Sequence, residues 1–306
     1  MTEYLPEGAL LHTPTNQRYI SSRDGLEDAM RQNAIVEAVC MICDSMHNLI
    51  VDFGFARGII PREEGATGIS DGTTRDIALI SRVNKPICFK VINVGESIVI
   101  SRRAAQAECF ENYINKFRCG DIVPAKITHM EQFGAFVDIG CGIPSLIPID
   151  MISISRIAHP KDRFYVGQDI KGVIKSIDNG KITLSHKELL GSWAENAEKF
   201  SVGETVTGIV RSVESYGIFV ELSPNLAGLA ELKDGVFAGN IVSVYVKAII
   251  PEKMKIKLII VDKFPPRDTQ EPLPFCYSEK SGHIDSWVYS TPISEKMIRT
   301  DFSQPL

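Results

Sequence analysis

The same order of short apolar segments occurs three times along this chain, and this recurrence constrains the fold more than any other feature. Ile50, Phe136 and Phe219 take equivalent positions in the three blocks and are 86 and 83 residues apart. Each block opens with a β-rich segment, continues through an alternating strand and a short Gly- or Ser-led strand, and closes with two more strands. A repeated unit of this kind predicts tandem copies of one small domain.

The second block shows the strand pattern most clearly. Val137 and Ile139 fall on one face of an alternating run, because successive side chains of a strand point to opposite sides. The turn Asn179-Gly180 separates the last two strands, and Asn-Gly between alternating runs is a strong hairpin signal. Five short strands in about 70 residues are typical of a small closed Greek-key barrel, the OB architecture, which binds oligonucleotides on one face.

Four aromatic side chains are expected to face solvent: Phe133, Phe136, Tyr216 and Phe219. Phe136 and Phe219 share their strand faces with acidic neighbours, Asp138 and Glu221, which are expected to be outward as well. A ring that faces water needs a reason, and stacking against unpaired bases supplies one. The alternative is that these rings pack inside the barrels or between them.

Composition and charge set limits on the partners. The chain has 306 residues, a net charge of −5 and three nearly neutral blocks, so binding to nucleic acid must use local basic residues together with stacking. The acidic start, the absence of a long apolar run and seven scattered cysteines favour a reduced, cytoplasmic protein with no membrane partner.

The second block resembles the S1-type RNA-binding domain, the OB-fold repeat of bacterial ribosomal protein S1. The residues that carry the resemblance are Gly120-Asp121-Ile122-Val123, Phe133-Gly134-Ala135-Phe136-Val137-Asp138, His159-Pro160, Val166-Gly167-Gln168 and Ile182-Thr183-Leu184-Ser185. Residues 202–262 are similar to the same domain, and residues 35–103 resemble the opening repeats of the ribosomal proteins. The resemblance implies binding of single-stranded RNA, including mRNA, in translation.

Basic residues are expected to contact the RNA backbone. Lys181 and Lys255 begin the fifth strands, where the resemblance implies a basic residue at the RNA. Further phosphate candidates are Lys171, Lys175, Arg156 and Arg163. The alternative for each lysine is an ordinary solvated face.

Some residues depart from the family pattern. Pro148 and Glu231 stand where the family commonly has a histidine, and an acidic residue at 231 would repel phosphate. In the first block His47 and Ile50 replace the aromatic pair. We therefore expect the first block to dock on the small ribosomal subunit or another protein.

The predicted fold class is mainly β, with three tandem five-stranded barrels, short helical connectors and irregular extensions at both ends. The predicted divisions are an N-terminal extension (1–34), a degenerate barrel (35–104), a connector (105–117), an RNA-binding barrel (118–191), a connector (192–199), a third barrel (200–263) and a C-terminal extension (264–306). The first connector carries an apolar stripe of four residues: Ala107, Phe110, Ile114 and Phe117. Trp193 is expected to pack between repeats rather than stack on a base.

No catalytic or cofactor motif is present in the sequence. Cys40 and Cys43 form a lone CxxC with no second pair to complete a zinc site, so structural thiols are favoured and no metal or cofactor is expected. The leading hypothesis is a non-enzymatic RNA-binding protein. The alternatives are a protein-interaction scaffold and an accessory subunit of an RNA-processing enzyme.

Overall fold

The computed structural model describes residues 4–178, 180–265, 277 and 282–303. It contains three closed five-stranded barrels and few helices, which confirms the predicted fold class. Within the described residues no helix is long and apolar enough to span a bilayer.

The first barrel closes in the order β1-β2-β3-β5-β4. Its strands are β1 (Ile35–Cys43), β2 (Leu49–Asp52), β3 (Arg57–Ile60), β4 (Pro86–Val94) and β5 (Ile98–Ser101). A short helix, α3 (Ile77–Ile80), lies between β3 and β4 in the chain. The core includes Leu49, Ile60, Phe89 and Ile100, none of which exposes any surface.

The second barrel repeats this arrangement, with its strands ordered β10-β8-β7-β6-β9. These are β6 (Ile122–Glu131), β7 (Gly134–Asp138), β8 (Pro144–Pro148), β9 (Asp169–Asp178) and β10 (Lys181–Ser185). Val137 and Ile139 are fully buried, as the alternation predicts. β9 and β10 pair antiparallel from Asp178 and Lys181 onwards, which confirms the hairpin, although Asn179 of its turn lies outside the described residues.

The third barrel closes in the order β11-β12-β13-β15-β14. Its strands are β11 (Thr205–Glu214), β12 (Gly217–Ser223), β13 (Leu226–Ala230), β14 (Ile241–Ile250) and β15 (Lys255–Phe264). Its core also takes in Trp193 and Ala197 of the preceding helix and Trp287 and Tyr289 of the tail. Trp193 is therefore a packing residue in this structure.

Two capped helices precede the first barrel, in the N-terminal extension that the predicted fold class describes as irregular. These are α1 (Pro14–Ile20) and α2 (Arg23–Arg31). The side chains of Thr13 and Ser22 accept hydrogen bonds from backbone N–H groups of the first turns, which satisfies donors that a helix start leaves open.

The connectors are helical, but the first one buries only part of the predicted stripe. α4 (Arg102–Asn112) buries Arg102, Ala105, Gln106 and Cys109, whereas Ala107 and Phe110 are exposed. Ile114 of the stripe is buried, in the short helix that follows α4. Arg102 is held in the interior by hydrogen bonds that its Nε and Nη2 donate to Glu7. The second connector helix is α5 (Trp193–Ala197).

Short 3₁₀ helices lie at Arg62–Glu64, Ile114–Lys116, Ile149–Met151, Pro160–Asp162, Lys187–Leu190 and Pro251–Lys253.

The described part of the C-terminal extension is not irregular, because β16 (Ser286–Val288) and β17 (Arg299–Asp301) pair antiparallel. Phe302, just beyond β17, packs against Val173 and Leu189 of the second barrel.

The chain divides into two compact units. The first contains residues up to 117 with 124–126 and 138–144; the second contains 118–123, 127–137 and the residues from 145 onwards. In the first unit the segment before α1 contacts the 138–144 loop, and in the second the loop before β9 contacts the third barrel.

Candidate nucleic-acid interface

Two aromatic rings lie together on the second barrel. Phe133, in the turn between β6 and β7, is 56% exposed, and Phe136 on β7 is half-buried. Their ring centroids are 5.9 Å apart and the rings are nearly perpendicular, at 88°. The pair is thus brought together as predicted, with the turn ring the more accessible of the two.

A third ring extends this pair. The imidazole of His129 on β6 lies 6.1 Å from the Phe136 ring at an interplanar angle of 25°, and its Nε2 is 2.6 Å from Glu131 Oε1. The sequence argument missed His129. Counting back from the turn in the β6–β7 hairpin would have found it, because positions at equal distances from the turn face each other across an antiparallel pair.

The third barrel repeats the perpendicular pair. Tyr216 is 68% exposed, and its ring centroid lies 6.1 Å from that of Phe219 at 89°. Ser212 faces Phe219 across the β11–β12 ladder, so this barrel has no third ring at that position. Both barrels therefore present a perpendicular ring pair. The residue that faces the strand ring is His129 in the second barrel and Ser212 in the third.

A glycine follows each turn ring because the next strand approaches closely. A Cβ at Gly134 would stand 2.5 Å from the carbonyl oxygen of Ile147, and one at Gly217 would stand 2.7 Å from that of Ala230. Only glycine fits against a neighbouring backbone at such distances. These glycines let the rings project from the barrel while the strands stay paired.

The basic residues predicted at the interface differ in accessibility. Lys181, Arg156 and Lys255 are exposed. Lys175 is half-buried, and its Nζ lies 5.6 Å from the centroid of the Phe302 ring. Lys175 is therefore already engaged by the tail, while the other three present their charges to solvent.

Arg163, predicted as a phosphate contact, is buried and paired instead. Its side chain is 1% exposed, and its Nη2 donates a 2.5 Å hydrogen bond to Glu221 Oε2. Arg211 Nε donates to the same oxygen at 2.7 Å. Glu221 is likewise buried rather than outward, because the loop before β9 covers its end of β12. Burial lowers the pKa of Arg163, although the attraction of Glu221 opposes this.

Asp138, also predicted to face outward, is buried too. Its Oδ1 accepts hydrogen bonds from the N–H groups of Gly140 and Gly142, and its Oδ2 accepts one from Glu7 N–H at 2.6 Å. Burial, with the nearby negative charge of Glu7, raises the pKa of Asp138 to about 7. The carboxylate fixes the N-terminal segment rather than marking a solvated face.

The first barrel has an aliphatic row at the matching place. Ile42, Ile50, Ile59 and Val99 are neighbours across β1, β2, β3 and β5. Ile42 is 47% exposed and Ile59 is 36% exposed, so the row is partly open to solvent. His47, the residue at the turn, lies 3.4 Å from Asp76 through Nδ1.

The described residues contain no group of three or more His, Cys, Asp or Glu side chains placed to hold a metal ion. Cys40 is buried and Cys43 is half-buried.

Glu231 is exposed, with an oxygen 4.0 Å from Lys247 Nζ.

Comparison with known proteins decides the identity of the second barrel. Residues 116–187 match the family described as S1 RNA binding domain. The second barrel is an S1 RNA-binding domain.

The similarity to ribosomal proteins extends beyond this S1 domain. The chain is 28% identical over 297 residues to the small ribosomal subunit protein bS1 of Staphylococcus aureus strain MRSA252, covering 89% of this chain and 72% of that protein. It is 31% identical over 194 residues to the bS1 homolog of Bacillus subtilis strain 168, covering 60% of this chain and 49% of that protein.

Among solved structures, a multidomain protein with nucleic acid binding domains from Streptococcus pneumoniae TIGR4 is matched over 75% of this chain and 74% of that chain. The identity is 11% and the TM-score is 0.25, too low to bear on function.

Proposed function

We propose that this protein is a cytoplasmic RNA-binding factor of translation, which holds single-stranded RNA such as mRNA on the aromatic faces of the second and third barrels. The observation that carries the proposal is the perpendicular ring pair Phe133–Phe136 in an S1 domain, repeated by Tyr216–Phe219. The similarity to bS1 over most of the chain supports a role in translation.

The ring geometry favours single strands. Bases in a duplex stack on one another, whereas unpaired bases are free to lie against protein rings. Because the two rings of each pair are nearly perpendicular, two bases stacked on them cannot also stack on each other. The bound strand would therefore turn between those two nucleotides, and a stiff duplex could not follow.

Each stacked base contributes roughly 1–3 kcal/mol, so loss of Phe136 and Phe219 together should weaken binding at least tenfold. The test measures the affinity of the intact chain for a labelled single-stranded RNA, with and without Phe136→Ala and Phe219→Ala. Phe110→Ala is the matched control, because Phe110 is an exposed ring on α4 rather than on a barrel face.

Unchanged affinity in the double variant, with the barrels still folded, would contradict the proposal. In the scaffold alternative the aromatic faces bind a polypeptide, and the affinity should hardly depend on salt. RNA binding should instead depend on salt, because each phosphate contact to a single strand gives a log–log salt slope of about −0.7. Cleavage of labelled RNA by the pure protein with Mg²⁺ would favour the RNA-processing alternative.

The first barrel is proposed to dock on a protein of the small ribosomal subunit. Its aliphatic row, Ile42–Ile50–Ile59–Val99, lies where each of the other barrels has a leucine together with aromatic and polar residues. A row that is aliphatic throughout suits an apolar protein contact rather than RNA. Ile42→Asp with Ile59→Asp should abolish cosedimentation with small subunits stripped of mRNA. The control is Ile77→Asp, since Ile77 is 65% exposed on α3 outside the barrel sheet. Equal cosedimentation of all variants would contradict this docking.

A further inference from the structure

The strand register of the third barrel places a lysine beside the aromatic pair that the sequence argument did not select. Phe219 faces Leu229 across β12 and β13, and Leu229 faces Lys257 across β13 and β15. Neighbouring strands lie about 4.8 Å apart, so the Cα atoms of Lys257 and Phe219, two strands apart, are separated by about 10 Å. Lys255, the predicted residue, lies two positions earlier on β15, about 6.6 Å along the strand.

The side chain of Lys257 is available for a ligand. Lys257 is exposed, and within the described ranges it has no ion-pair partner. Its cross-strand neighbours, Leu229 and Ala248, carry no charge. A lysine beside apolar neighbours can lay its methylene chain along them while its ammonium group stays in water.

The local charge favours an anion despite Glu231. Glu231 lies 4.0 Å from Lys247, so its charge is partly offset by a neighbour other than Lys257. Lys247, Lys255 and Lys257 are all exposed on β14 and β15. Lys247 thus offsets part of the charge of Glu231, while Lys255 and Lys257 add positive charge on β15.

The other barrels lack this charge at the same register position. Leu146 on β8 faces Thr183 on β10 in the second barrel, and Ile59 faces Val99 in the first. The fifth-strand residue at this position is Val99 in the first barrel, Thr183 in the second and Lys257 in the third. The second barrel instead has a third ring, His129, against Phe136.

We propose that Lys257 binds the phosphate next to the base stacked on Phe219, so that the third barrel depends more on charge and the second more on stacking. This inference rests on the proposed RNA-binding function. It assigns a phosphate contact to Lys257 and the absence of one to Thr183.

The experiment measures RNA affinity of the full chain against salt concentration. Lys257→Gln should weaken binding and reduce the log–log salt slope by about 0.7, the loss of one phosphate contact to a single strand. Thr183→Lys should increase the slope by about the same amount. Lys116→Gln is the control, because Lys116 is exposed in a connector rather than on a barrel face, and it should leave the slope unchanged.

The same series in a chain carrying Phe133→Ala and Phe136→Ala isolates the third barrel, and the effect of Lys257→Gln should be larger there. If the wild-type chain binds RNA and Phe219→Ala weakens it, but Lys257→Gln leaves the slope unchanged, the inference is overturned and the proposed function stands. If the wild-type chain binds no single-stranded RNA, both are overturned.

Discussion

Arg163 and Glu221 form a buried ion pair in which Nη2 of the arginine lies 2.5 Å from Oε2 of the glutamate, with 1% and 0% of their side chains exposed. Arg163 follows the 3₁₀ helix Pro160–Asp162 of the S1 domain, and Glu221 lies on β12 of the third barrel, two residues after Phe219. Within the second unit, a strand that carries a proposed RNA contact is thus also tied to the neighbouring barrel.

Glu221→Ala should lower the free energy of unfolding by about 3–5 kcal/mol, because Arg163 would be left buried without its counter-charge. Urea denaturation of both proteins measures the difference. Asp28→Ala removes an exposed pair with Arg31 and should cost at most about 1 kcal/mol. Equal losses in the two variants would show that the buried pair has no special weight.

Glu37 gives the stability of the first unit a pH dependence. Its Oε2 accepts hydrogen bonds from Gly8 and Leu10 N–H, each at 3.0 Å. Burial, together with the charge of Glu7, raises the pKa of Glu37 from 4.5 to about 7. The folded protein therefore keeps a proton that the unfolded chain loses, and this stabilisation is full below about pH 4.5 and is lost as the pH rises through 7.

Glu37→Gln should flatten the pH dependence of unfolding between pH 5 and 8, because a neutral amide can keep the two accepted hydrogen bonds without titrating. At pH 8 the variant should be more stable than wild type by roughly 1–3 kcal/mol, with little difference at pH 5. Some slope should remain, because the pKa of Asp138 is raised in the same direction. A variant with the full wild-type slope would refute the role of Glu37.

Two substitutions of Trp193 distinguish a role in core packing from a role in base stacking. Trp193 is 3% exposed within the core of the third barrel, so Trp193→Ala should cost about 3–5 kcal/mol in unfolding free energy. Trp193→Leu keeps apolar volume without a ring and should leave RNA affinity unchanged. A tenfold loss of affinity in the folded leucine variant would mean that Trp193 contacts a base.

Gly134→Ala should displace the Phe133 turn, because the added Cβ would lie 2.5 Å from the Ile147 carbonyl oxygen. We expect a loss of about 1–3 kcal/mol in stability and weaker RNA binding. Gly95→Ala is the control, since its Cβ would meet only the end of the Asn93 side chain at 3.2 Å. The glycine argument is wrong if both variants bind RNA and unfold like wild type.

Strand alternation predicted the barrels and the ring pairs, because residue parity alone decides which side chains enter a barrel core, as at Val137 and Ile139. It failed for Asp138 and Glu221. Parity assigns a side chain to the outer face of a barrel but not to solvent, and other segments cover both residues here. Arg163 was misjudged for the same reason, since its partner is 58 residues away in the chain.

Register explains the residues that were missed. His129 and Lys257 become neighbours of Phe136 and Phe219 only when strands are aligned, and a single shift or bulge changes the partners. The β14–β15 ladder contains two such shifts, so Lys255 and Lys257 could not be ranked from sequence spacing.

The most direct test is zero-length ultraviolet crosslinking of a photoreactive single-stranded RNA to the full chain, with the attached residues identified by mass spectrometry. We predict crosslinks at Phe133 and Phe136 on the S1 domain and at Tyr216 and Phe219 on the third barrel. Crosslinks confined to other surfaces, with these four rings unmodified, would contradict the account.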